Sequence, residues 1–178
     1  MGTIPTPGTQ TASAVVSSTL LNGFRDVMAF WSNPPACQAY QSTAQSIPNN
    51  TYTAVKLNSE LYDNVQAGDT PMHDLVTNNT RITVRTAGMY LIAGSVGFAT
   101  NTTGVRKVQL YKNAATGLGE ATAPPVSGVT TAIPVGPVIV PLAVGDYVEI
   151  RAFQTSGGAL NTDASSGVTT LTLRLIGQ

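Results

Sequence analysis

The sequence predicts an all-β sandwich, most simply a jelly roll, behind a short N-terminal arm and helix. Three observations predict it. Beyond residue 35, apolar and polar residues alternate with a period of two in run after run, the pattern of strands with one buried face. Glycine and asparagine punctuate these runs at short intervals, as turns between consecutive strands do. Charged residues make up 10% of the 178 residues, well below the roughly 25% of ordinary soluble domains. Thr, Ser, Asn, Gly and Ala take their place, which suits sheet faces that are polar without charge or covered by other subunits.

Taken in order, residues 1–17 are rich in Thr, Pro, Gly and Ser and lack a hydrophobic period, so they are expected to form an extended arm. From Ser18, apolar residues Leu20, Leu21, Phe24, Val27, Met28 and Trp31 recur every three or four positions, the stripe of an amphipathic helix. Ser17 or Ser18 caps its start, and Asn33-Pro34-Pro35 stops it, because Pro34 disfavours helical geometry at Asn33 and neither proline donates a backbone hydrogen bond. Gly23 weakens the helix by about 1 kcal/mol relative to Ala, so the stripe must dock, either on its own domain or on a partner. The first boundary therefore falls at residues 1–35, the arm and helix, followed by a β domain over 36–178.

In the β domain, Ile82 and Val84 alternate with Arg81, Thr83 and Arg85, and Tyr90, Ile92, Val96 and Phe98 share one face of the next run. Val108 and Leu110 alternate with Lys107 and Gln109, Val148, Ile150 and Ala152 follow the Gly145-Asp146 turn, and Leu171, Leu173 and Leu175 define a last strand central to the core. Residues 129–142 are Val/Ile-rich but broken by Pro134, Pro137 and Pro141, which points to an edge or bent strand. Eight to ten short strands of this kind describe a sandwich.

Bulk properties exclude several functions. Nine basic and nine acidic residues give a formal net charge of zero, so no basic field draws in nucleic acid or an anionic membrane. Near-zero charge favours self-association. Cys37 is the single cysteine, so no intramolecular disulfide forms. The N-terminus lacks the basic and apolar regions of a secretory signal, and no stretch reaches a membrane span, so synthesis in a cytoplasm without conventional export is expected. Asn49, Asn78 and Asn101 head N-x-T triplets and read as turn residues.

Certain residues carry a family resemblance. Gly88-x-Tyr90 leading into an apolar strand, with Leu142-x-x-Gly145-Asp146-Tyr147-Val148, resembles the C1q/TNF-like jelly roll. More narrowly, Ala39-Tyr40-Gln41-Ser42, Gln45-Ser46-Ile47, Met72-His73-Asp74 and the run from Gln154 through Asn161 are similar to C1q-like modules in minor tail proteins of bacteriophages infecting actinobacteria. Arg25-Asp26 followed by Asn33-Pro34-Pro35 is similar to the segment that often precedes such modules. The resemblance covers nearly everything from residue 19 onward. It implies a homotrimer around a shared apolar axis, mounted on the virion by its N-terminal segment. In tail proteins the module often ends a longer chain, whereas here it is almost the whole sequence.

The expected function is thus a virion structural protein, a trimeric knob of the tail or tail tip that meets the host surface. A capsid decoration protein is the alternative, and a small glycan-active enzyme is a reading from another class. Catalytic signatures are weak. His73 has no second histidine and reads as a loop residue, and Cys37, just after the proline corner, reads as a small buried thiol. Gly117-Leu118-Gly119-Glu120 lacks the third glycine of a dinucleotide loop and reads as a turn. Asp63, Asp69 and Asp74 share one polar segment and are oxygen donors of the kind calcium takes, but their spacing matches no compact calcium loop, so solvated carboxylates and no cofactor are expected. Calcium is bound in some C1q-like trimers, which the resemblance carries over as its one metal.

Strand order in a jelly roll further predicts that loops 155–166 and 114–128 share the end opposite the helix. On that reading Glu120, Thr122, Ser156, Gly157, Gly158, Asn161 and Asp163 line a distal surface facing a host glycan or a neighbouring protein. If these loops share one end, Glu120 and Asp163 approach each other as a carboxylate pair. Leu20, Leu21, Phe24, Val27, Met28 and Trp31 form the attachment or oligomer helix.

Overall fold

A computed structural model describes residues 16–165 and 167–177. Most of the expected arm, residues 1–15, lies outside the described residues. Helix α1 (Ser18–Ser32) starts where the caps predict: the Ser17 hydroxyl accepts the Leu20 N–H at 3.2 Å, and the Asn33 N–H closes the last turn on the Phe30 carbonyl at 3.2 Å. Two sheets follow. The first holds β1 (Ala36–Tyr40), β2 (Ser46–Ile47), β4 (Ser59–Asn64), β6 (Gly88–Phe98), β9 (Thr131–Leu142), β11 (Leu160–Asp163) and β12 (Thr170–Gly177). The second holds β3 (Thr53–Ala54), β5 (Arg81–Thr83), β7 (Arg106–Lys112), β8 (Thr116–Ala123) and β10 (Tyr147–Gln154).

Every ladder between these strands is antiparallel, and β12 sits between β6 and β1, as the triple-leucine alternation predicts. Leu171, Leu173 and Leu175 meet Tyr90, Ile92, Val108, Leu110, Val148 and Ile150 in one core between the sheets. β9 pairs with β6 along one side only, which is why three prolines are tolerated there: an edge strand need not donate on its outer side. Opposite Ala93 alone, β9 carries two residues, Gly136 and Pro137, the bend that the prolines announce.

Tracing the strands fixes two ends. β12 finishes beside Pro35 and Ala36, where α1 enters, and the Leu175 N–H donates to the Pro35 carbonyl at 2.9 Å. This end is the base. β12 starts, and β10 ends, at the opposite, distal end, where segments 99–105, 124–130, 155–159 and 164–169 connect the strands.

The helix keeps little contact with the sandwich. Phe30 is its buried residue, whereas Leu21, Phe24, Met28 and Trp31 are exposed and Leu20 and Val27 half-buried. A clamp fixes its exit: Asn64 Nδ2 donates to the Pro34 carbonyl at 2.8 Å, and the amides of Asn33 and Asn64 pair at 2.9 Å.

Candidate functional site

The two sheets present very different outer faces. Residues opposite one another in an antiparallel ladder point to the same side, so the register assigns each face. On the first sheet, Asn64, Ala36, Arg174, Leu91 and Ile139 form one outward row, and Tyr62, Gln38, Thr172 and Ala93 the next. Tyr40, Ser95, Met89 and Ile176 extend this face. Among its described residues on β1, β6, β9 and β12, Arg174 is the single charge, and it makes no hydrogen bond or ion pair within the described chain. Leu61, Tyr62, Ile139 and Ile176 stay exposed, Leu61 at 69%.

The outward face of the second sheet gathers charge and aromatic rings. Arg81 lies 4.6 Å from the Tyr147 ring centre, Arg151 lies 4.2 Å from that of Tyr111, and Lys107 covers Phe153 at 5.8 Å. Arg151 also pairs with Glu149 at 2.9 Å. Glu120 takes a hydrogen bond from Tyr52 Oη at 2.7 Å, another from Gln109 and one from Lys107 Nζ at 3.2 Å. The Tyr52 hydrogen bond, followed by those of Gln109 and Lys107, holds the Glu120 carboxyl below its usual range, while burial and the same carboxylate push Tyr52 up to about 12. Each charge named here has a counter-charge or an aromatic ring beside it.

This arrangement corrects several sequence expectations. Glu120 and Thr122 are not in a distal loop: residues 116–123 form strand β8, paired to β7 through a turn at the base. The stretch Gly117-Leu118-Gly119-Glu120, expected to turn, is strand. Asn161 and Asp163 lie in β11, not in a loop, although close to the distal end. Asp163 serves the chain itself, its Oδ1 accepting the Ser165 N–H at 2.9 Å and hydroxyl at 2.6 Å, which keeps its carboxyl low. Glu120 and Asp163 therefore belong to different sheets and form no carboxylate pair.

Ser156, Gly157 and Gly158 do occupy the distal end, in a connection tied down from below. Buried Gln154 donates to the carbonyls of Ile47 at 3.0 Å and Gly158 at 2.8 Å, and accepts from the Ser156 N–H at 2.6 Å. Asn49 Oδ1 accepts the Gly157 N–H at 2.9 Å. Arg106, fully buried, donates to the carbonyls of Thr103, Val105 and Asn101 and to Asn101 Oδ1 at 3.0 Å. It thereby organises segment 99–105. Gln154 and Arg106 were missed as organisers, although each shares the parity of its strand's core residues, Ile150 and Ala152 for one and Val108 and Leu110 for the other.

His73 and Asp63 depart from the expected solvated loop. The His73 ring is buried, with Nδ1 2.9 Å from Glu60 Oε1 and Nε2 3.3 Å from the Asn79 carbonyl, and its backbone N–H donates to Asp63 Oδ2 at 2.9 Å. Burial raises the Asp63 carboxyl. Cys37 is a buried thiol as expected, but within β1; burial, then the nearby Asp63 and Glu60 carboxylates, push it far up, out of nucleophilic range. Asp74 closes a local turn on the Val76 and Thr77 N–H groups, each at 2.8 Å. Among the described residues, no three His, Cys, Asp or Glu side chains are grouped to hold a metal ion.

No protein-family model and no curated protein matches the chain. Solved structures do. The globular domain of zebrafish complement 1qA protein is 17% identical, with 81% of this chain and 98% of that one covered at a TM-score of 0.56. Eiger TNF from S. frugiperda gives 12%, 81% and 93% at 0.60, and murine APRIL 14%, 80% and 98% at 0.58. The fold is a C1q/TNF-like jelly roll.

Proposed function

We propose that this chain is a structural protein of a bacteriophage virion, a homotrimeric C1q-like knob of the tail or tail tip. Its first-sheet face joins the copies, its N-terminal segment joins them to the particle, and its distal loops meet the host surface. The observation that carries this reading is the division of charge between the faces. A sheet face with one unpaired cation and exposed Leu, Ile and Tyr is suited to burial against a copy of itself, while the opposite face has its charges paired and its rings stacked. Closed symmetry satisfies such a self-complementary demand without leaving an open end. The phage assignment rests on the residues quoted above for the tail-protein modules.

Two measurements test it. Light scattering of the soluble protein at micromolar concentration should give three copies of the 18.4 kDa chain, about 55 kDa; a one-copy mass defeats the trimer. Cryo-electron microscopy of particles carrying a labelled chain should place it at the tail. Label on the shell assigns the decoration reading instead, and unlabelled particles defeat the virion role.

A further inference from the structure

We infer that the apolar stripe of α1 is covered by α1 of the other copies, as a short parallel three-helix bundle, and not by a scaffold protein. The inference deepens the homotrimer reading above and rests on it. Four observations on the helix carry it.

First, Leu20, Phe24, Val27 and Trp31 are spaced four, three and four apart, the seam of a coiled coil, with Leu21 and Met28 flanking it on one side. Asn22, Arg25, Asp26 and Ala29 occupy the far side. Second, the described chain leaves the seam only partly covered: Phe24 is 46% and Trp31 37% exposed and Leu20 and Val27 are half-buried, the flanking Met28 and Leu21 are exposed, and Phe30, the buried residue, points off to one side of it. A helix of 15 residues containing Gly23 is marginal in water, so it requires a cover. Third, the stripe offers a scaffold no charge to recognise, since Arg25 and Asp26 neutralise each other at 2.8 Å away from the seam. Fourth, the helix is continuous with the uncharged sheet face. Ser32 and Asn33, at its end, line one cavity of about 380 Å³ together with Ala36, Tyr62, Asn64 and Arg174 of that face. Copies that cover the face therefore bring three helices to the same place, in register and pointing the same way.

Two heptads are too short to hold three chains unaided, so the bundle accompanies the sheet contact and does not replace it. Residues ahead of Leu20 are then what remains for the particle.

The test uses cysteine, because Cys37 is buried in the core and stays silent. Full-length Leu20→Cys and, as control, Asn22→Cys are oxidised after purification and run on a non-reducing gel. In a three-helix bundle one disulfide forms per trimer at Leu20→Cys, so up to about two-thirds of the chains migrate as covalent dimers, at least tenfold more than for Asn22→Cys. Val27→Cys, one heptad on, should behave like Leu20→Cys and guards against a local defect at either site. Equal or absent cross-linking at both seam positions, in protein that still scatters as three copies, overturns the bundle and leaves the trimer standing. A one-copy mass overturns the trimer and the bundle with it.

Discussion

Ile139→Lys tests the uncharged sheet face most directly. Ile139 is 56% exposed within the protomer and lies on edge strand β9 opposite Leu91, pointing away from the core. Substitution there removes little packing, so protomer stability should change by no more than about 0.5 kcal/mol. At a face buried between copies the effect is much larger. An ammonium taken from water without a counter-charge costs several kcal/mol, and among the described residues of β1, β6, β9 and β12 this face has no carboxylate to receive it. Taking about 3 kcal/mol for each of three symmetric copies, a trimer loses about 9 kcal/mol. At 1.4 kcal/mol per factor of ten, this lowers the association constant by roughly six orders of magnitude. The assay is light scattering over a concentration series, with near-ultraviolet circular dichroism reporting the protomer fold. Ile139→Lys should scatter as one copy with an unchanged spectrum, whereas Val76→Lys, at an 88% exposed loop position, should remain three copies. A variant that keeps the three-copy mass and the native spectrum refutes the assignment of this face.

Arg174→Met removes the one charge that β1, β6, β9 and β12 carry on the same face, and should leave association equal or tighter in that series; weakened association would mean that Arg174 finds an acceptor across the interface. Leu173→Ala opens the core where β12 crosses β1 and β6, and should cost about 2–5 kcal/mol in denaturant unfolding; a loss below 1 kcal/mol would contradict a tightly packed centre. Gly104→Ala combines φ +78° with a Cβ only 1.9 Å from the Thr155 carbonyl oxygen, so a thermal midpoint equal to the parent's would show that segments 99–105 and 155–159 are not locked together. Asp63→Asn should stabilise the protein at pH 7: burial raises the folded-state pKa of Asp63, so its ionised form opposes folding at high pH. That opposition fades as pH falls through the folded pKa toward the unfolded value of about 3.9, and the benefit should vanish with it. A benefit that grows toward pH 4 would reverse the sign of the argument.

Much of the sandwich is legible because burial on one face enforces a period of two. Tyr90 through Phe98, Val148 through Ala152 and Leu171 through Leu175 all point where alternation puts them. The proline-broken β9 is legible for the complementary reason, since only an edge position tolerates it. β8 is not, because Gly117 and Gly119 carry the composition of a loop. Their smallness answers to a neighbour that periodicity does not report: a Cβ at Gly119 would sit 3.6 Å from Val138 of β9, so small residues let the edges of the two sheets approach. Placing Glu120 and Thr122 in a distal loop follows from that misreading. The helix stripe was plain in the sequence, but the choice of what covers it depends on how the helix leaves the sheet, which is a property of Asn33 and Asn64 in three dimensions.

The buried His73 was hidden by a single extra residue. In simple alternation Glu60 and Tyr62 share a side, and Asp63 falls on the other. The register between β1 and β4 instead pairs Ala39 with Glu60 and Gln38 with Tyr62, which leaves Leu61 as a bulge. Because Ala39 and Cys37 face inward, Glu60 and Asp63 now face inward together, while Leu61 and Tyr62 are turned out. Two carboxylates at the open edge of a sandwich need donors, and segment 65–80 brings the His73 ring to Glu60 and the His73 N–H to Asp63, with Met72 buried beside them. The segment thereby seats over strand β4, an edge that would otherwise invite pairing with other chains. The same bulge exposes Leu61 and Tyr62 next to the uncharged face. One inserted residue thus closes the side of the sandwich and extends the surface through which the copies are proposed to meet.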